Sequence, residues 1–394
     1  MVPDGWKLTG LDGIRASIID GDRGKNYPKK DDYLSDGYAL FLGAENIVDG
    51  AFDLNKKIFI SKEKHEAMRK GIVQDKDIIL VMRGNGTGRS CIFFSDKLKG
   101  KVARINSGLI IIRPSLECAD VNFLHQLFLS DLIKKQFDSV IFGSAQPQLT
   151  VKLLKSLTFP VPPYSEQVKI AHILSVWDKI ILLTEQLLKN SQQQKKILMQ
   201  KLLTGKKRFL GFESPWENKM LSEVMHFTKG VQINKNTLSE SGGYPVINGG
   251  ITPSGFTADF NTFGNTITIS EGGNSCGYVA FQRNDFWCGG HCYAIKETKL
   301  DLDFTYQMLK LNEKKIMNLR VGSGLPNIQK KSLESFVVRY PVDKFEQQKI
   351  ASTLSSADAE IDILQKKIAC LKDEKKGLMQ QLLTGKRRVK MEIE

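Results

Sequence analysis

The amino-acid sequence predicts an α+β fold made of two similar mixed α/β units, each followed by a long helix. Three observations support this prediction. Residues 166–208 recur as residues 346–388, at a constant offset of 180 residues and without a gap. Both copies place apolar side chains at alternating spacings of four and three residues, which indicates a coiled-coil seam. Upstream of each copy, strand-like segments alternate with glycine-rich turns, so each half contains its own globular unit.

The composition is that of an ordinary globular protein, apart from its charge. The 394 residues can form two or three domains, each with its own core. Lysine and arginine number 57 against 43 acidic residues, a net charge of +14. This excess favours a nucleic-acid partner over a merely basic protein, because cationic side chains neutralise phosphates. The sequence has no apolar run of about 18 residues and does not begin like a signal peptide, so we expect a cytoplasmic protein.

Each predicted unit contains a strand, a glycine-rich loop and a second strand. The three segments are residues 78–82, 83–89 and 90–94 in the first half and residues 266–270, 271–277 and 278–281 in the second. A strand and a glycine loop can also form a dinucleotide or S-adenosylmethionine site, but that site continues into a helix and has an acidic residue about 20 positions later. Both features are missing here, so we interpret the loops as β-hairpin turns.

The repeated segments predict two helices of about 38 residues, or roughly 57 Å each. Gly205 and Gly385 mark their C-terminal ends, and the basic residues that follow suit the negative end of the helix dipole. Polar residues interrupt the first seam at Thr184, Ser191 and Lys195. The predicted seam residues are Ile170, Leu174, Trp177, Ile181, Leu188, Leu198, Leu202, Ile350, Leu354, Ala357, Ile361, Leu364, Ile368, Leu371, Leu378 and Leu382.

The two apolar stripes can be covered in two ways. Each could pack on its own globular unit, but a rod of this length has more apolar surface than a small unit covers. If the halves have pseudo-two-fold symmetry, the helices instead form an antiparallel coiled coil that separates the units. The predicted boundaries are a first unit at 1–160, a central spacer helix at 161–208, a second unit at 209–340, and a distal helix with a C-terminal tail at 341–394.

Four residues in the second half could form a zinc site. Cys276, Cys288, His291 and Cys292 have the side chains that zinc prefers. However, Cys288 and Cys292 belong to segments that read as strands, in which alternate residues face opposite sides. Small buried thiols are therefore the other interpretation. The six cysteines lack the paired spacing that is typical of a disulfide framework.

The sequence contains no complete catalytic motif. Val161-Pro-Pro-Tyr164 differs by one residue from the Asn/Asp-Pro-Pro-Tyr/Phe tetrapeptide of amino-methyltransferases, and the residue that it lacks would hold the target amino group. The segment also suits an extended linker into the helix. The five histidines are isolated, and no P-loop is present. We therefore expect no catalytic residue in this chain.

Repeated motifs carry a family resemblance. Each half contains Gly-Ser-x-x-Pro, then Glu-Gln-x-Lys-Ile-Ala, and closes its long helix with Leu-Met-Gln-x-Leu-Leu-Thr-Gly-Lys. These motifs start at residues 143, 166 and 198 in the first half and at residues 322, 346 and 378 in the second. Over nearly its whole length the chain resembles the specificity (S) subunit of type I restriction–modification systems.

The resemblance implies a division of labour. The units would be target recognition domains, each reading one half of an asymmetric, interrupted DNA sequence. Two methyltransferase (M) subunits would bind S-adenosylmethionine and methylate adenine N6 in each half-site. Restriction (R) subunits would add translocation and cleavage that depend on ATP and Mg²⁺. The target adenine must leave the base stack, but that chemistry would belong to the partners, so this chain would bind no cofactor itself.

DNA contacts are expected from side chains that reach base edges or phosphates. Arginine, lysine, asparagine and glutamine on glycine-rich loops suit both. The candidates are Arg83, Asn85, Arg89, Lys101, Arg104, Lys229, Gln232, Asn234, Lys235, Asn274, Arg283 and Arg320. Each could also be an ordinary solvated residue. The Gly-Ser-x-x-Pro segments could contact DNA or turn the chain toward the helix.

Two other functions are compatible with the sequence. An autonomous DNA methyltransferase would bind S-adenosylmethionine and methylate DNA unaided. A bivalent DNA-binding repressor, or a structural scaffold, would bind DNA without any enzyme partner. Co-purification with a methyltransferase chain would separate the proposed specificity subunit from both.

Overall fold

The computed structural model describes residues 2–48, 50–98, 100–141, 148–322, 324 and 326–390. The chain divides into two compact units. The first unit comprises residues 1–184 together with 367–394, and the second unit comprises residues 185–366. Because these limits fall inside the two long helices, each unit contains one half of each helix.

The described part of the first unit consists of short strands and helices, followed by the start of a long helix. Its strands are β1 (Lys7–Thr9), β2 (Ser17–Asp20), β3 (Ala39–Leu42), β4 (Ile47–Val48), β5 (Ala51–Phe52), β6 (Phe59–Ile60), β7 (Ile78–Val81), β8 (Ser90–Ile92), β9 (Val102–Ile105), β10 (Leu109–Arg113) and β11 (Phe159–Val161). Its helices are α1 (Lys62–Ala67), α2 (Val121–Leu129), α3 (Asp131–Ile141), α4 (Val151–Ser156) and the first half of α5 (Tyr164–Leu202).

Two sheets form the frame of the first unit. The larger sheet has the order β2-β10-β7-β8, and all its pairings are antiparallel. The smaller sheet has the order β6-β3-β9, in which β3 and β9 run parallel. In addition, β1 pairs with β11, the strand that directly precedes α5.

The larger sheet of the first unit is buried on both faces. All four residues of β7 are buried apolar side chains. Since alternate residues of a strand face opposite sides, Ile78 and Leu80 pack with α2, α3 and α4, whereas Ile79 packs toward the smaller sheet. A strand that is covered on both faces favours such a continuous apolar run. This explains the uninterrupted Ile-Ile-Leu-Val sequence of β7.

The second unit contains the same kinds of element. Its strands are β12 (Trp216–Met220), β13 (Met225–Lys229), β14 (Tyr244–Ile247), β15 (Phe256–Thr257), β16 (Thr266–Ser270), β17 (Val279–Gln282), β18 (Trp287–Cys288), β19 (Cys292–Thr298) and β20 (Val337–Pro341). Its helices are α6 (Leu221–Val224), α7 (Leu302–Met317), α8 (Lys330–Glu334) and the first half of α9 (Lys344–Leu382), together with the second half of α5.

The strand orders of the second unit repeat those of the first. They are β13-β19-β16-β17, β15-β14-β18 and β12-β20, and β14 runs parallel to β18. Here the larger sheet is apolar mainly on one face: Ile267 and Ile269 of β16 join the core under α7. The intervening Thr268 faces the other side, where only a small apolar cluster lies. The predicted α+β class and the duplication are confirmed.

The two long helices lie antiparallel in each unit. In the first unit, Ile170 and Leu174 of α5 share an apolar cluster with Leu382 of α9. In the second unit, Leu202 of α5 shares a cluster with Leu354 of α9. Every predicted seam residue is buried or half-buried. None of the helices in the described residues is both long and apolar enough to cross a membrane.

Polar residues that recur in both units connect the two long helices, and in the first unit they form the following contacts. The buried Glu166 carboxylate accepts hydrogen bonds from Arg388 and from Trp6 Nε1. Asp178 accepts a hydrogen bond of 2.8 Å from the Nε2 of Gln126 in α2, and Lys375 Nζ lies 2.6 Å from its other oxygen. Charged hydrogen bonds at partly buried sites are stronger than neutral ones and restrict the geometry of the helix pair.

The second unit repeats the charged pairs and the glutamine contact of this network with the helices exchanged, but Trp216 Nε1 does not repeat the contact of Trp6. Glu346 accepts hydrogen bonds of 2.8 Å and 2.7 Å from Arg208 Nε and Nη2. Asp358 accepts one of 2.8 Å from the Nε2 of Gln307 in α7 and pairs with Lys195. Lys195 interrupts the predicted apolar seam because this position carries the cation that pairs with Asp358.

Candidate nucleic-acid interface

A glycine-rich loop joins β7 to β8 in the first unit. We call residues 82–88 the first glycine loop. Gly84 and Gly88 have φ values of 84° and 89°, in the left-handed region that glycine adopts without strain. The Gly88 N–H donates a hydrogen bond of 2.9 Å to the carbonyl oxygen at the end of β7, which closes the hairpin. The carbonyl of Met82 accepts a hydrogen bond of 2.7 Å from the N–H of Leu149.

The second glycine loop, residues 271–277, joins β16 to β17. Gly273 and Gly277 have φ values of 77° and 87°. The Gly277 N–H donates a hydrogen bond of 2.8 Å to the end of β16, and the carbonyl of Glu271 accepts one of 2.8 Å from Ile328 N–H. Both loops therefore have the same length and the same backbone hydrogen bonds. Each joins two antiparallel strands and forms a hairpin turn.

The glycine loops pair with the residues that directly follow the Gly-Ser-x-x-Pro segments in sequence. Arg83 forms an antiparallel bridge with Gln148, and Gly272 forms the matching bridge with Asn327. Residues 142–147, Ser323 and Leu325 lie outside the described residues. Residues that are about 60 positions apart in sequence thus meet at one edge of each larger sheet.

Cationic and hydroxyl side chains surround the first glycine loop. Arg83 Nη2 donates a hydrogen bond of 2.7 Å to Ser107 Oγ, which lies 3.3 Å from the hydroxyl of Tyr27. Arg89 donates to backbone carbonyls, including that of Ala44 just after β3. Asn85, at the tip of the loop, is exposed. Arg83, Asn85 and Arg89 therefore lie together at one surface, where they could contact phosphates and base edges.

An acidic residue lies at the centre of the corresponding surface in the second unit. Lys229 Nζ lies 2.6 Å from Glu271 Oε1, and the Tyr293 hydroxyl donates a hydrogen bond of 3.0 Å to the same oxygen. His291 Nδ1 lies 3.8 Å from the other oxygen. Burial and the Glu271 carboxylate raise the pKa of Tyr293 well above its usual value, so its hydroxyl stays protonated and donates. Gln232 lies beside Gly290 at the same edge.

Three sequence candidates do not belong to these surfaces. Lys101 lies at the opposite end of β9 from the loop, paired with Asp36. Arg283 follows β17 at its far end, paired with Asp303 and stacked on a phenylalanine ring. Arg104 is only 2% exposed, and its guanidinium donates to His65 Nδ1 and to two backbone carbonyls. We withdraw Arg104 as a DNA contact, because an interior guanidinium cannot reach a nucleic acid.

The remaining candidates lie in the second unit. Asn234 and Lys235 belong to the connection between β13 and β14, where the Asn234 side chain accepts a hydrogen bond from Asn236 N–H. Asn274 is exposed at the tip of the second glycine loop. Arg320 follows α7 and directly precedes Val321, which bridges Asn327. Arg320 and Asn274 therefore both belong to segments at the loop edge.

Strand register identifies one further candidate for DNA contact, which was not predicted from the sequence. Asp20 of β2 pairs with Ile110, and Lys229 of β13 pairs with Tyr293 at the matching position. Three residues after these positions are Arg23 and Gln232. Arg23 Nη2 lies 3.4 Å from the sulfur of Met82 in the first glycine loop. Only the strand alignment gives this equivalence, since β2 and β13 share little sequence.

The cysteines of the second unit lie in separate apolar clusters. Cys276 belongs to the main core, whereas Cys288 and Cys292 belong to the small cluster between the two sheets. His291 is largely exposed. In the part of the chain that the structure describes, no three His, Cys, Asp or Glu side chains come together in a group that could hold a metal ion. This geometry fits small buried thiols.

Comparisons with known proteins agree with this architecture. The sequence profile of a family described as "Type I restriction modification DNA specificity domain" matches residues 3–191 and 213–373. A putative type I specificity subunit of Mycoplasma pneumoniae is 37% identical over 158 residues, which is 39% of this chain and 42% of that protein. The chain thus spans about two fifths of the length of this relative.

Two further relatives are similar over nearly the whole chain. The MjaVIII specificity subunit of Methanocaldococcus jannaschii is 26% identical, over 99% of this chain and 94% of that protein. The crystal structure of a type I S subunit from M. genitalium has the same fold, with a TM-score of 0.67 and 18% identity over 97% of this chain and 96% of the other. The chain therefore belongs to the family of type I restriction–modification specificity subunits.

Proposed function

We propose that this chain reads a bipartite, asymmetric DNA sequence, with each unit contacting one half-site. One observation carries the proposal: the two glycine loops have the same backbone but different polar side chains. Identical frames place both loops in the same way on their sheets, whereas different side chains recognise different bases. The excess of 14 positive charges supports binding to the DNA backbone.

We propose that the two DNA-reading domains are residues 1–160 and 209–340, the boundaries that the sequence predicts. The segments 161–208 and 341–394 would space them, since a continuous helix of about 39 residues is roughly 58 Å long. A rigid spacer fixes the number of base pairs between the half-sites. In dimeric DNA-binding proteins, the arrangement of the two subunits fixes the half-site spacing in the same way.

The proposed partners follow from family membership and from the repeat. Two identical methyltransferase subunits need two equivalent docking surfaces. The duplicated ends of the long helices would form these two surfaces. S-adenosylmethionine, ATP and Mg²⁺ would be bound by the methyltransferase and restriction subunits, which methylate adenine N6 and cleave DNA. This chain would contribute recognition without catalysis, in the cytoplasm of a bacterium or archaeon.

Selection from a random duplex pool tests the bipartite proposal. The full chain, with any subunits that co-purify, should select two short sequences separated by a gap of constant length. A chimaera in which residues 1–160 come from another specificity subunit should change one half-site and leave the other half-site unchanged. A change in both halves would contradict modular reading, and DNA methylation by the purified chain alone would show that it is itself a methyltransferase.

A further inference from the structure

The two glycine loops share one exposed polar residue at the same place. The first loop reads Met-Arg-Gly-Asn-Gly-Thr-Gly and the second Glu-Gly-Gly-Asn-Ser-Cys-Gly. Their matching hydrogen bonds align Asn85 with Asn274. Apart from one glycine on each side, the asparagine is the only residue that the two loops have in common. The glycines have positive φ values in both loops, so the backbone itself requires them.

The fold does not require the asparagine. Neither Asn85 nor Asn274 has a positive φ, so neither is there to relieve a left-handed backbone. Both side chains are exposed. Within the described part of the chain, neither amide group forms an intramolecular hydrogen bond. A side-chain amide that does not stabilise the loop can form hydrogen bonds with an external partner.

The position of the two asparagines suits a base edge. Each lies at the exposed tip of the loop that joins two strands of the larger sheet, where an asparagine side chain can extend into the major groove of DNA. Cationic side chains lie near both loops: Arg83 and Arg89 in the first unit, and Lys229, which pairs with Glu271, in the second. These cations suit phosphates, which leaves the uncharged amide for a base.

We infer that Asn85 and Asn274 each hydrogen-bond to one adenine, in the first and the second half-site respectively. The carboxamide donates to adenine N7 and accepts from adenine N6, a paired contact that guanine cannot make with its two acceptors. The inference rests on the proposed bipartite DNA reading. It adds that two half-sites of different sequence share one adenine contact, while the residues that differ between the loops make the half-sites distinct.

The test uses the duplex that the wild-type chain selects from a random pool. Each adenine in turn is replaced by 7-deazaadenine, which keeps base pairing but lacks the N7 acceptor. Wild-type affinity should fall roughly tenfold to a hundredfold at one adenine in each half-site. The N85A variant should lose about the same affinity on unmodified DNA and should become insensitive to 7-deazaadenine in the first half-site only. The N274A variant should do the same in the second half-site only.

Exposed asparagines away from the loops provide matched controls. Asn122 in α2 and Asn284 beyond β17 are exposed, so N122A and N284A should bind like the wild type. Three results would overturn the inference: unchanged sensitivity in N85A and N274A, sensitivity lost in the half-site assigned to the other asparagine, or uniform weakening on all sequences with a shallower salt dependence. The last would identify a phosphate contact. If the wild-type chain selects no bipartite sequence, the proposed function itself fails.

Discussion

The two glycine loops differ in almost every side chain, yet they share a backbone. Arg83 of the first loop corresponds to Gly272 of the second, and Met82 corresponds to Glu271. The shared features are left-handed glycines, one hydrogen bond that closes each hairpin, and one hydrogen bond from a neighbouring segment to each loop. A few backbone positions therefore fix the shape of this surface. The other positions are free to vary, so one frame can present different chemistry.

The cores beneath the loops differ in a related way. The larger sheet of the first unit is apolar on both faces, whereas β16 of the second unit alternates isoleucine with threonine. Both units keep the same polar network around Asp178 or Asp358 at the helix pair. The common parts are therefore the helix pair and the strand order, and the divergent parts lie on the far face of the sheet and at the loops.

Leucine-to-alanine substitutions test whether the helix pair is equally well packed in both units. Leu174 and Leu354 occupy corresponding positions and are 0% exposed. We expect Leu174→Ala and Leu354→Ala each to lower the free energy of unfolding by about 2–5 kcal/mol, because each removes buried methyl groups and leaves a cavity. Chemical denaturation measures the loss, and hydrogen exchange shows which unit opens. Leu182→Ala, at a position 63% exposed, is the control with little expected effect.

A pH series should distinguish the two units. His125 and Tyr306 correspond, since each precedes the glutamine that bonds Asp178 or Asp358. Burial lowers the pKa of His125 to about 4, so the unfolded chain binds a proton that the folded chain excludes. The first unit should lose about 3 kcal/mol as the pH falls from about 6.5 to 4. Burial raises the pKa of Tyr306 to about 12, so the second unit should lose stability as the pH rises from 10 toward 12.

Hydrogen exchange at each pH would locate the opening unit. His125→Gln should remove the acid sensitivity of the first unit, whereas the control His172→Gln, at an exposed position, should keep it. Equal acid sensitivity in both units would contradict the assignment to His125.

We expect the smallest losses of stability from alanine substitutions at the glycines of the two loops. Gly88 and Gly277 both have φ near 90°, so an alanine costs about 1–2 kcal/mol in either loop. A Cβ on Gly277 would also lie 2.8 Å from the Cα of Met317, whereas one on Gly88 would lie 3.5 Å from the Phe137 ring. Gly277→Ala should therefore lower the midpoint of unfolding more than Gly88→Ala does.

Gly273→Ala separates the two causes, because Gly273 has a positive φ but no atom within 4 Å of the added Cβ. Its effect should match that of Gly88→Ala. An equal loss for Gly277→Ala would mean that α7 moves away without cost.

Much of the fold was predictable from the repeat. Heptad spacing identified seam residues that are all buried or half-buried, and the repeated motifs identified the family. The sequence shows which polar residues interrupt the apolar seam, but it does not show why they are there. Lys195 is tolerated there because Asp358, 163 residues away, pairs with it.

The DNA-contact candidates were harder to predict. Residue type and loop position selected both Arg89 and Arg104, although the first is exposed and the second is buried. Arg104 is buried because His65 and two carbonyls from the segment before β7 satisfy its donors, and these neighbours come from the tertiary fold. Arg23 was missed because its equivalence to Gln232 depends on strand register and not on sequence identity.

The duplication, the two long helices, the glycine turns and the family were all predictable from the amino-acid sequence. Periodicity and glycine positions are local or regularly spaced, so they can be read without knowing what packs where. Which residues share a surface depends on the tertiary fold. The fold pairs the glycine loops with Gln148 and Asn327, buries Arg104 and aligns Asn85 with Asn274. Contacts between distant segments depend on sheet register and burial, and no local sequence pattern encodes these.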